Sequence, residues 1–296
     1  MKRVLVTGAS GQVGAAVATL LRESGSWDVV AHDRAGLDLA DPARIAAAIA
    51  EARPEVIVNA GAYTAVDRAE TETQAALAAN SVAPGAIGFA AKHVGAVVIH
   101  FSTDYVFDGT KATPYVEGDP PKPVSVYGAS KLTGERALAA SGAAHVILRT
   151  SWVYAPRGKN FLLTMLNAAK TREEVRVVDD QRGAPTSALQ LARATQALLA
   201  RSREELQAAS GVYHCTAAGE VTWCGFTRAI YERWGELTPG FRAPRVIAIP
   251  SSEYPTPVKR PANSRLSNAR LRETFGIALE PWEAALDETL AVLASA

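Results

Sequence analysis

The sequence predicts an α/β protein built on a doubly wound parallel sheet, followed by a smaller C-terminal region. In the first half, short β-rich runs alternate with longer helical patterns, and the runs lie at 3–7, 27–32, 55–60, 95–101 and 145–150. This alternation is typical of βαβ units whose parallel sheet is covered by helices on both faces. Past residue 150, prolines interrupt shorter elements, which indicates a separate, smaller region.

The first strand leads directly into a glycine-rich turn. Arg3–Thr7 is followed by glycines at positions 8, 11 and 14, a G-x-x-G-x-x-G spacing. Glycine lets the strand turn sharply into a helix that begins near Gln12, and it lets backbone N–H groups approach a pyrophosphate at the positive end of that helix. The pattern predicts a Rossmann-like dinucleotide-binding turn formed by Gly8, Ser10, Gly11, Gln12, Val13 and Gly14.

The second strand ends at the pair Asp33 and Arg34. A carboxylate at this point would meet the adenosine ribose of NAD, whereas a neighbouring arginine can accommodate the 2′-phosphate of NADP. We therefore predict that the cofactor is NADPH or NADH. The next helix is predicted near 42–52, with Asp41 as its N-cap and Pro42 in its first turn.

Two further loops, at 59–63 and 102–105, follow the third and fourth strands. Because right-handed crossovers bring the carboxyl ends of parallel strands to one edge of the sheet, these loops and the glycine turn should meet there. The run 95–101 is almost continuously apolar, as expected of a central strand, and it leads to Thr103 and Asp104.

Tyr127 and Lys131 stand four residues apart, on one face of a predicted helix. A tyrosine can move a proton onto a carbonyl oxygen, and a nearby ammonium favours its phenolate and so lowers its pKa from about 10. Thr103 is the natural hydroxyl partner, because a donor aimed at the substrate oxygen stabilises charge as it develops. These three residues are the predicted catalytic group.

Beyond residue 150 the patterns predict helices near 159–170, 186–200, 222–236, 267–275 and 282–294, and strands near 174–179, 211–215 and 245–249. We predict a dinucleotide-binding domain over residues 1–150, which some later segments could rejoin. Residues 151–296 are predicted to form mainly a substrate-binding region.

The chain has 31 basic and 30 acidic residues and a net charge of +1. This balance provides no general attraction for nucleic acid or for an anionic membrane, so neither is expected as a partner. With no secretory segment before Gly8 and no apolar run long enough to span a bilayer, we expect a cytoplasmic protein. Cys215 and Cys224 are expected to be buried free thiols, and the histidines to be structural, because neither set has a metal-ligand spacing.

Seven stretches resemble the extended short-chain dehydrogenase/reductase superfamily and, within it, the dTDP-4-dehydrorhamnose reductases. They are GASGQVG (8–14), VIVNAGAYTAVDRAE (56–70), STDYVFDG (102–109), YGASK (127–131), RTSWVY (149–154), DQRGAPT (180–186) and RPANSRL (260–266). The resemblance covers nearly the whole chain. It implies that NAD(P)H reduces the C4 keto group of dTDP-6-deoxy-L-lyxo-4-hexulose, a dTDP-sugar, to give dTDP-L-rhamnose.

The resemblance also implies roles for individual residues. Tyr127 would donate the proton, Lys131 would hold the nicotinamide ribose and lower the pKa of Tyr127, and Thr103 would orient the keto oxygen. Further cofactor contacts would come from Asn59, Ala60, Gly61 and Ala62. The sugar and diphosphate would be met by Asp104, Tyr105, Val106, Trp152, Asn160, Arg260 and Asn263. Trp152 could instead be a core aromatic, and Arg260 a surface charge.

The chain departs from the resembled pattern at three positions. Some relatives carry glutamates that contribute to a magnesium-bridged dimer, whereas Ala16, Leu189 and Val292 stand there in this sequence. Without carboxylates a hard cation lacks its preferred oxygen ligands. We therefore expect no metal, and a monomer or weak homodimer.

Two other functions stay open on the sequence alone. A nucleotide-sugar epimerase or dehydratase would share the fold and the Tyr-Lys pair, but such dehydratases place Asp-Glu after the threonine, whereas Thr103 is followed by Asp104 and Tyr105. A non-catalytic regulatory subunit similar to the β subunit of methionine adenosyltransferase is the second alternative. Intact Thr103, Tyr127 and Lys131 weigh against it.

Overall fold

The computed structural model describes residues 2–295 and contains a six-stranded sheet. The strands are β1 (Lys2–Thr7), β2 (Trp27–His32), β3 (Val56–Asn59), β4 (Val97–Thr103), β5 (His145–Thr150), β6 (Val153–Tyr154), β7 (Glu174–Val178), β8 (Arg182–Gly183), β9 (Thr186–Ser187), β10 (Gly211–His214), β11 (Val221–Thr222) and β12 (Arg245–Ile249). The helices are α1 (Gln12–Glu23), α2 (Pro42–Ala52), α3 (Val66–Ala69), α4 (Thr73–Leu77), α5 (Ala83–Val94), α6 (Val126–Ala140), α7 (Phe161–Ala168), α8 (Ala188–Leu199), α9 (Arg203–Ala208), α10 (Trp223–Leu237), α11 (Ala269–Phe275) and α12 (Trp282–Ala294). A π-helical segment, Ala78–Val82, joins α4 to α5, and 3-10 turns are formed by Asp104–Val106 and Ser251–Glu253.

The main sheet has the strand order β2-β1-β3-β4-β5-β10, and all neighbouring strands are parallel. The five strands predicted in the first half are confirmed, with small differences at their ends. The order reverses between β1 and β3, and ligands of open α/β sheets bind outside the carboxyl ends of the strands at such a switch point. The glycine turn after β1 and the 59–63 loop after β3 flank this point.

Helices cover both faces of the sheet. On one face α1 and α8 pack together, and on the other face α5 packs between α2 and α6. Val4 and Val6 of β1 belong to the first apolar cluster, whereas Leu5 belongs to the second. A strand that is apolar on both sides is expected in a parallel sheet with two buried faces.

The sheet takes its outer strand from the second half of the chain. Gly211–His214 pairs with β5, and α8 lies on the face that α1 covers. A boundary near residue 150 therefore stays a prediction, and residues 1 and 296 of the two predicted domains lie outside the described range.

The remaining elements form a smaller region around a third apolar cluster. In it α7, α10 and α12 surround side chains such as Phe226 and Leu286, and β7 pairs in parallel with β12. The helices and strands predicted for this half of the chain are confirmed at their predicted positions. The two-residue strands of the pairs β6–β9 and β8–β11 were not predicted, since they are too short to show periodicity.

Two smaller predictions concern exposure to solvent and to lipid. Cys215 and Cys224 are buried and free, as the sequence predicts. Between residues 2 and 295, the helices are all too short or too polar to cross a bilayer.

Candidate active site

The turn after β1 leaves no room for side chains. Gly8 has a φ of +67°, and a Cβ on it would lie 2.6 Å from the Cα of Gly61. A Cβ on Gly14 would lie 2.2 Å from the carbonyl oxygen of Gly8. Gly11 precedes α1 without any side-chain cap, so the first N–H groups of this helix are available to an anion. A glycine cradle with these properties fits the diphosphate of a dinucleotide.

The predicted adenosine-side residues lie beside this turn. Asp33 and Arg34 follow β2, whose last residue, His32, accepts a hydrogen bond from the N–H of Ala9 at 3.0 Å. Both side chains are exposed, and Asp33 also accepts from the N–H of Gly36 at 2.9 Å. They are therefore accessible to a ribose or a ribose phosphate.

Asn59 is the last residue of β3, and it is buried. Its side chain is buried between Thr7 and His100, at 2.7 and 2.9 Å respectively. The expected contact between the Asn59 side chain and the cofactor is therefore not supported, because its amide is already paired inside the protein. Ala60, Gly61 and Ala62 are partly exposed and present backbone to the cleft.

The helix that carries the Tyr-Lys pair, α6, approaches the 3-10 turn after β4 closely. A Cβ on Gly128 would lie 2.1 Å from the carbonyl oxygen of Tyr105, so only glycine allows this approach. Ser125 caps the helix by accepting from the Gly128 N–H. As a result the Tyr127 ring meets the Tyr105 ring edge to face, with centroids 5.5 Å apart.

Tyr127 and Thr103 are brought together, but the pKa of the tyrosine does not follow the prediction. Burial raises the pKa of Tyr127 above its ordinary value, and a hydrogen bond with Thr103 only partly opposes that rise. The prediction that Lys131 lowers this pKa is therefore wrong for the protein alone, because desolvation dominates. The phenol is kept protonated, as a proton donor requires.

Lys131 is buried, with only 2% of its surface exposed. Its Nζ donates to the carbonyl oxygen of Phe101 at 2.6 Å and lies 3.4 Å from His100 Nε2. Burial lowers the pKa of Lys131 to about 8. Sequence reasoning treated His100 as an ordinary structural histidine and missed this contact.

Asp104 and Val106 are both buried, but they have different neighbours. The Asp104 carboxyl group accepts from Thr103 at 3.1 Å, and burial raises its pKa to about 6. Val106 is fully buried in a cluster with Phe107 and Leu132. Burial argues against a sugar contact by the Val106 side chain, and the place of Val106 in the sugar pocket stays a prediction.

Trp152 adopts an uncommon backbone conformation with a φ of +50°. Its indole stacks on that of Trp223, and a Cβ on Gly183 would lie 2.5 Å from it. Bulky residues at positive φ are rare and are found mostly where the surrounding packing fixes them for a function. The sequence did not indicate a role for Trp223 or Gly183, because each matters only by its contact with the Trp152 indole.

Asn160 and Arg260 both connect distant parts of the chain. Asn160 caps α7, and its side-chain amide donates to Gln12 in the glycine turn at 2.9 Å. Arg260 pairs with Asp67 at 2.5 Å and donates to the Tyr105 hydroxyl at 3.1 Å. Contact of either residue with the diphosphate of the sugar nucleotide stays a prediction. Asn160 lies beside the turn that is predicted to bind the cofactor.

Asn263 is buried, and both polar atoms of its side chain are paired within the chain. It donates to the carbonyl oxygens of Lys111 and Thr113 at 2.7 and 2.9 Å, and it accepts from Arg265. A direct contact with substrate would have to break these bonds. Asn263 thus stabilises the 111–113 loop.

A buried ion pair is hydrogen-bonded to the end of β4 through Ser102. Glu135 and Arg149 are each 4% exposed and are joined by two hydrogen bonds of 2.9 and 2.7 Å. The Ser102 hydroxyl donates to the same carboxylate at 2.5 Å. This network was also missed, since the spacing of its members in the sequence carries no periodic signal.

Metal ligands are not clustered in the part of the chain that the structure describes. Over residues 2–295, no three histidine, cysteine or acidic side chains are arranged to hold a metal ion. The expected absence of a bridging cation, and the oligomeric state, stay predictions.

Comparison with known proteins places this geometry in context. The family model described as the RmlD substrate binding domain matches residues 1–295. The dTDP-4-dehydrorhamnose reductase of Burkholderia thailandensis is 49% identical over 290 residues, which cover 96% of each chain. The crystal structure of a dTDP-4-dehydrorhamnose reductase from Clostridium acetobutylicum superposes with a TM-score of 0.91 at 35% identity, covering 98% of this chain and 99% of that one. The Bacillus anthracis reductase in complex with NADP gives a TM-score of 0.89 at 31% identity, covering 99% and 100%.

Proposed function

The chain belongs to the family of the RmlD substrate binding domain, and from this membership we propose that it is a dTDP-4-dehydrorhamnose reductase. It reduces the C4 keto group of dTDP-6-deoxy-L-lyxo-4-hexulose with NADPH or NADH and yields dTDP-L-rhamnose. The observation that carries the proposal is that Thr103, Tyr127 and Lys131 lie together near the end of β4, on the same edge of the sheet as the glycine turn after β1. Full-length relatives that bear this enzyme name support it.

A dinucleotide bound on the glycine cradle would supply the hydride. Tyr127 gives the accompanying proton to the keto oxygen, since burial keeps its phenol protonated at neutral pH. The Thr103 hydroxyl, which donates to Asp104 in this structure, turns to the keto oxygen and stabilises its developing charge.

Lys131 holds the reduced cofactor beside the tyrosine. Within residues 2–295 its Nζ contacts Phe101 and His100, which leaves an N–H for the nicotinamide ribose. Because the amine is buried, that hydrogen bond forms without competition from water.

The sugar nucleotide lies on the opposite side of the cleft. Asp104 and Tyr105 meet the sugar, Trp152 offers it an aromatic face, and Arg260 reaches the diphosphate. The guanidinium suits this role because its planar set of donors matches phosphate oxygens. To bind there, Arg260 exchanges its partner Asp67 for the substrate.

A coupled assay tests the proposal. The dTDP-4-keto-6-deoxyhexose precursor and its 3,5-epimerase supply the substrate, and NADPH or NADH absorbance is followed after addition of the protein. We expect oxidation of the cofactor only when the epimerase is present, with dTDP-L-rhamnose as product. If the cofactor is not consumed, or is consumed equally without the epimerase, the proposal is wrong.

A further inference from the structure

A directed chain of hydrogen bonds runs from the cofactor edge to Lys131. The N–H of Gly61 donates to Thr7 Oγ1 at 3.3 Å, the Thr7 hydroxyl donates to Asn59 Oδ1 at 2.7 Å, and Asn59 Nδ2 lies 2.9 Å from His100 Nδ1. Because an amide nitrogen can only donate, His100 Nδ1 accepts, and the proton of the neutral ring is on Nε2. That nitrogen lies 3.4 Å from Lys131 Nζ.

This chain is closed to solvent. Thr7, Asn59, His100 and Lys131 are each at most 2% exposed, so their polar atoms must find partners inside the protein. Burial holds the pKa of His100 well below its ordinary range. The ring therefore stays neutral, and its Nε2–H faces the lysine at every working pH.

The protonation state of Lys131 decides whether this contact is favourable. A neutral amine has one lone pair, which can accept from His100 Nε2–H, whereas an ammonium has three donors and no acceptor. Nζ also donates to the carbonyl oxygen of Phe101 at 2.6 Å. The series of hydrogen bonds from Gly61 to Lys131 is therefore complete only when Lys131 is a neutral amine.

The charged groups around Lys131 do not reverse this preference. Glu135, one turn along α6, raises the pKa of Lys131, but Arg149 of β5 neutralises that carboxylate. Tyr127 stays protonated on the same helix. Asp104, at the end of β4, carries a carboxyl group with a raised pKa. His145 of β5 further lowers the pKa of His100.

We propose that His100 is a positioning residue that favours the neutral amine form of Lys131 through its Nε2–H, which Asn59 and Thr7 hold in place. The inference rests on the proposed function, since it concerns the lysine assigned to the nicotinamide ribose. A lysine near its protonation midpoint exchanges protons at the pH of turnover, whereas an ordinary lysine, with a pKa of about 10.4, stays charged. His100 thus acts on the reaction without touching the reacting atoms.

The test is an NMR titration of the protein without cofactor or substrate. Lysine labelled with ¹³C at Cε is incorporated, and the Lys131 signal is identified by its loss in Lys131→Met. We expect the wild-type signal to titrate near pH 8, the value to which burial lowers the pKa. His100→Asn keeps a polar group at the Nδ1 position but has none at Nε2, so its midpoint should rise by roughly one pH unit. His100→Gln places an amide N–H at the Nε2 position and serves as the matched control, with a midpoint close to wild type.

An unchanged or lower midpoint in His100→Asn overturns the inference. A wild-type midpoint as high as that of an ordinary lysine overturns it without any variant, which keeps the test decisive if His100→Asn does not fold. The titration needs no turnover. Lack of reductase activity would therefore count against the proposed function and leave this result intact.

Discussion

The indole of Trp152 lies face to face on that of Trp223, with ring centroids 3.5 Å apart and planes inclined by 11°. Trp152 holds a φ of +50°, and Gly183 contacts the same indole where a larger residue would collide. The ring at the predicted sugar site is thus fixed by two residues that need not touch the sugar. Such pre-organisation lowers the entropy that binding would otherwise lose.

We expect Trp223→Ala to weaken binding of the sugar nucleotide more than it slows the reaction. Loss of an aromatic stack should raise KM about three- to tenfold, with a smaller change in kcat. Trp223→Phe keeps an aromatic face and is the control. Steady-state kinetics at saturating NADPH measure both values, and an Ala variant with unchanged KM would contradict the positioning of Trp152 by Trp223.

Tyr127→Phe removes the proposed proton donor and keeps the ring that meets Tyr105. We expect kcat to fall by roughly 10²- to 10⁴-fold, the usual contribution of general acid catalysis. Cofactor binding, followed by NADPH fluorescence, should stay close to wild type. Tyr105→Phe loses a hydroxyl in the same cleft and should change KM more than kcat. Full turnover in Tyr127→Phe would rule out the assigned donor.

The buried pair of Glu135 and Arg149 predicts a large loss of stability when it is broken. Glu135→Gln leaves the guanidinium buried without a counter-charge, so the free energy of unfolding should fall by about 3–5 kcal/mol. The exposed pair of Glu174 and Arg245 is the matched control, because Glu174→Gln should cost at most about 1 kcal/mol. Urea unfolding of the three proteins measures the difference, and equal losses in the two variants would disprove this account.

His214 predicts a loss of stability in acid. Burial lowers its pKa to about 3, so below about pH 6.5 the unfolded chain binds a proton that the folded protein does not. The free energy of unfolding should therefore fall as pH decreases from about 6.5 towards 3, by about 1.4 kcal/mol per pH unit. Above about pH 6.5, His214 should cause no further change of stability with pH. His214→Asn should lose about 2 kcal/mol less than wild type between about pH 6.5 and 5. The exposed His93→Gln is the control, and parallel wild-type and His214→Asn profiles would exclude the effect.

Substitution of Arg260 should affect binding of the sugar nucleotide more than stability of the fold. If its guanidinium reaches the diphosphate, Arg260→Ala should raise KM for the sugar nucleotide by about tenfold or more. The partly exposed pair with Asp67 should contribute no more than about 1 kcal/mol to folding. Asp67→Asn removes the same ion pair and leaves the arginine for substrate, so its KM should not rise. A similar rise in both variants would indicate that the pair with Asp67, rather than a phosphate contact, matters.

The sequence predicted the longer strands and helices well because each of these carries a strong local signal. Asp41 and Pro42 mark the start of α2, and the glycine turn marks the start of α1 at Gln12. The family of the chain is likewise confirmed by its relatives. Local chemistry and the global fold agree along this part of the chain, as expected of a sequence that specifies one structure.

The site was predicted less completely, because side-chain partners depend on contacts between distant residues. Val106 follows Thr103 and Asp104 in the sequence, yet it packs into the core. Asn59 was assigned to the cofactor, yet it pairs with His100 forty-one positions away in the chain. The pKa of Tyr127 rises because its neighbours exclude water, and the spacing of a motif does not report on solvent.

The pairing of Gly211–His214 with β5 has a consequence for synthesis of the protein. A ribosome completes the first five strands well before it translates β10, so the nascent chain carries β5 with one unpaired edge while the intervening helices emerge. Open strand edges are templates for aggregation. Chaperone protection of this polypeptide should therefore matter most during elongation between the fifth strand and the tenth.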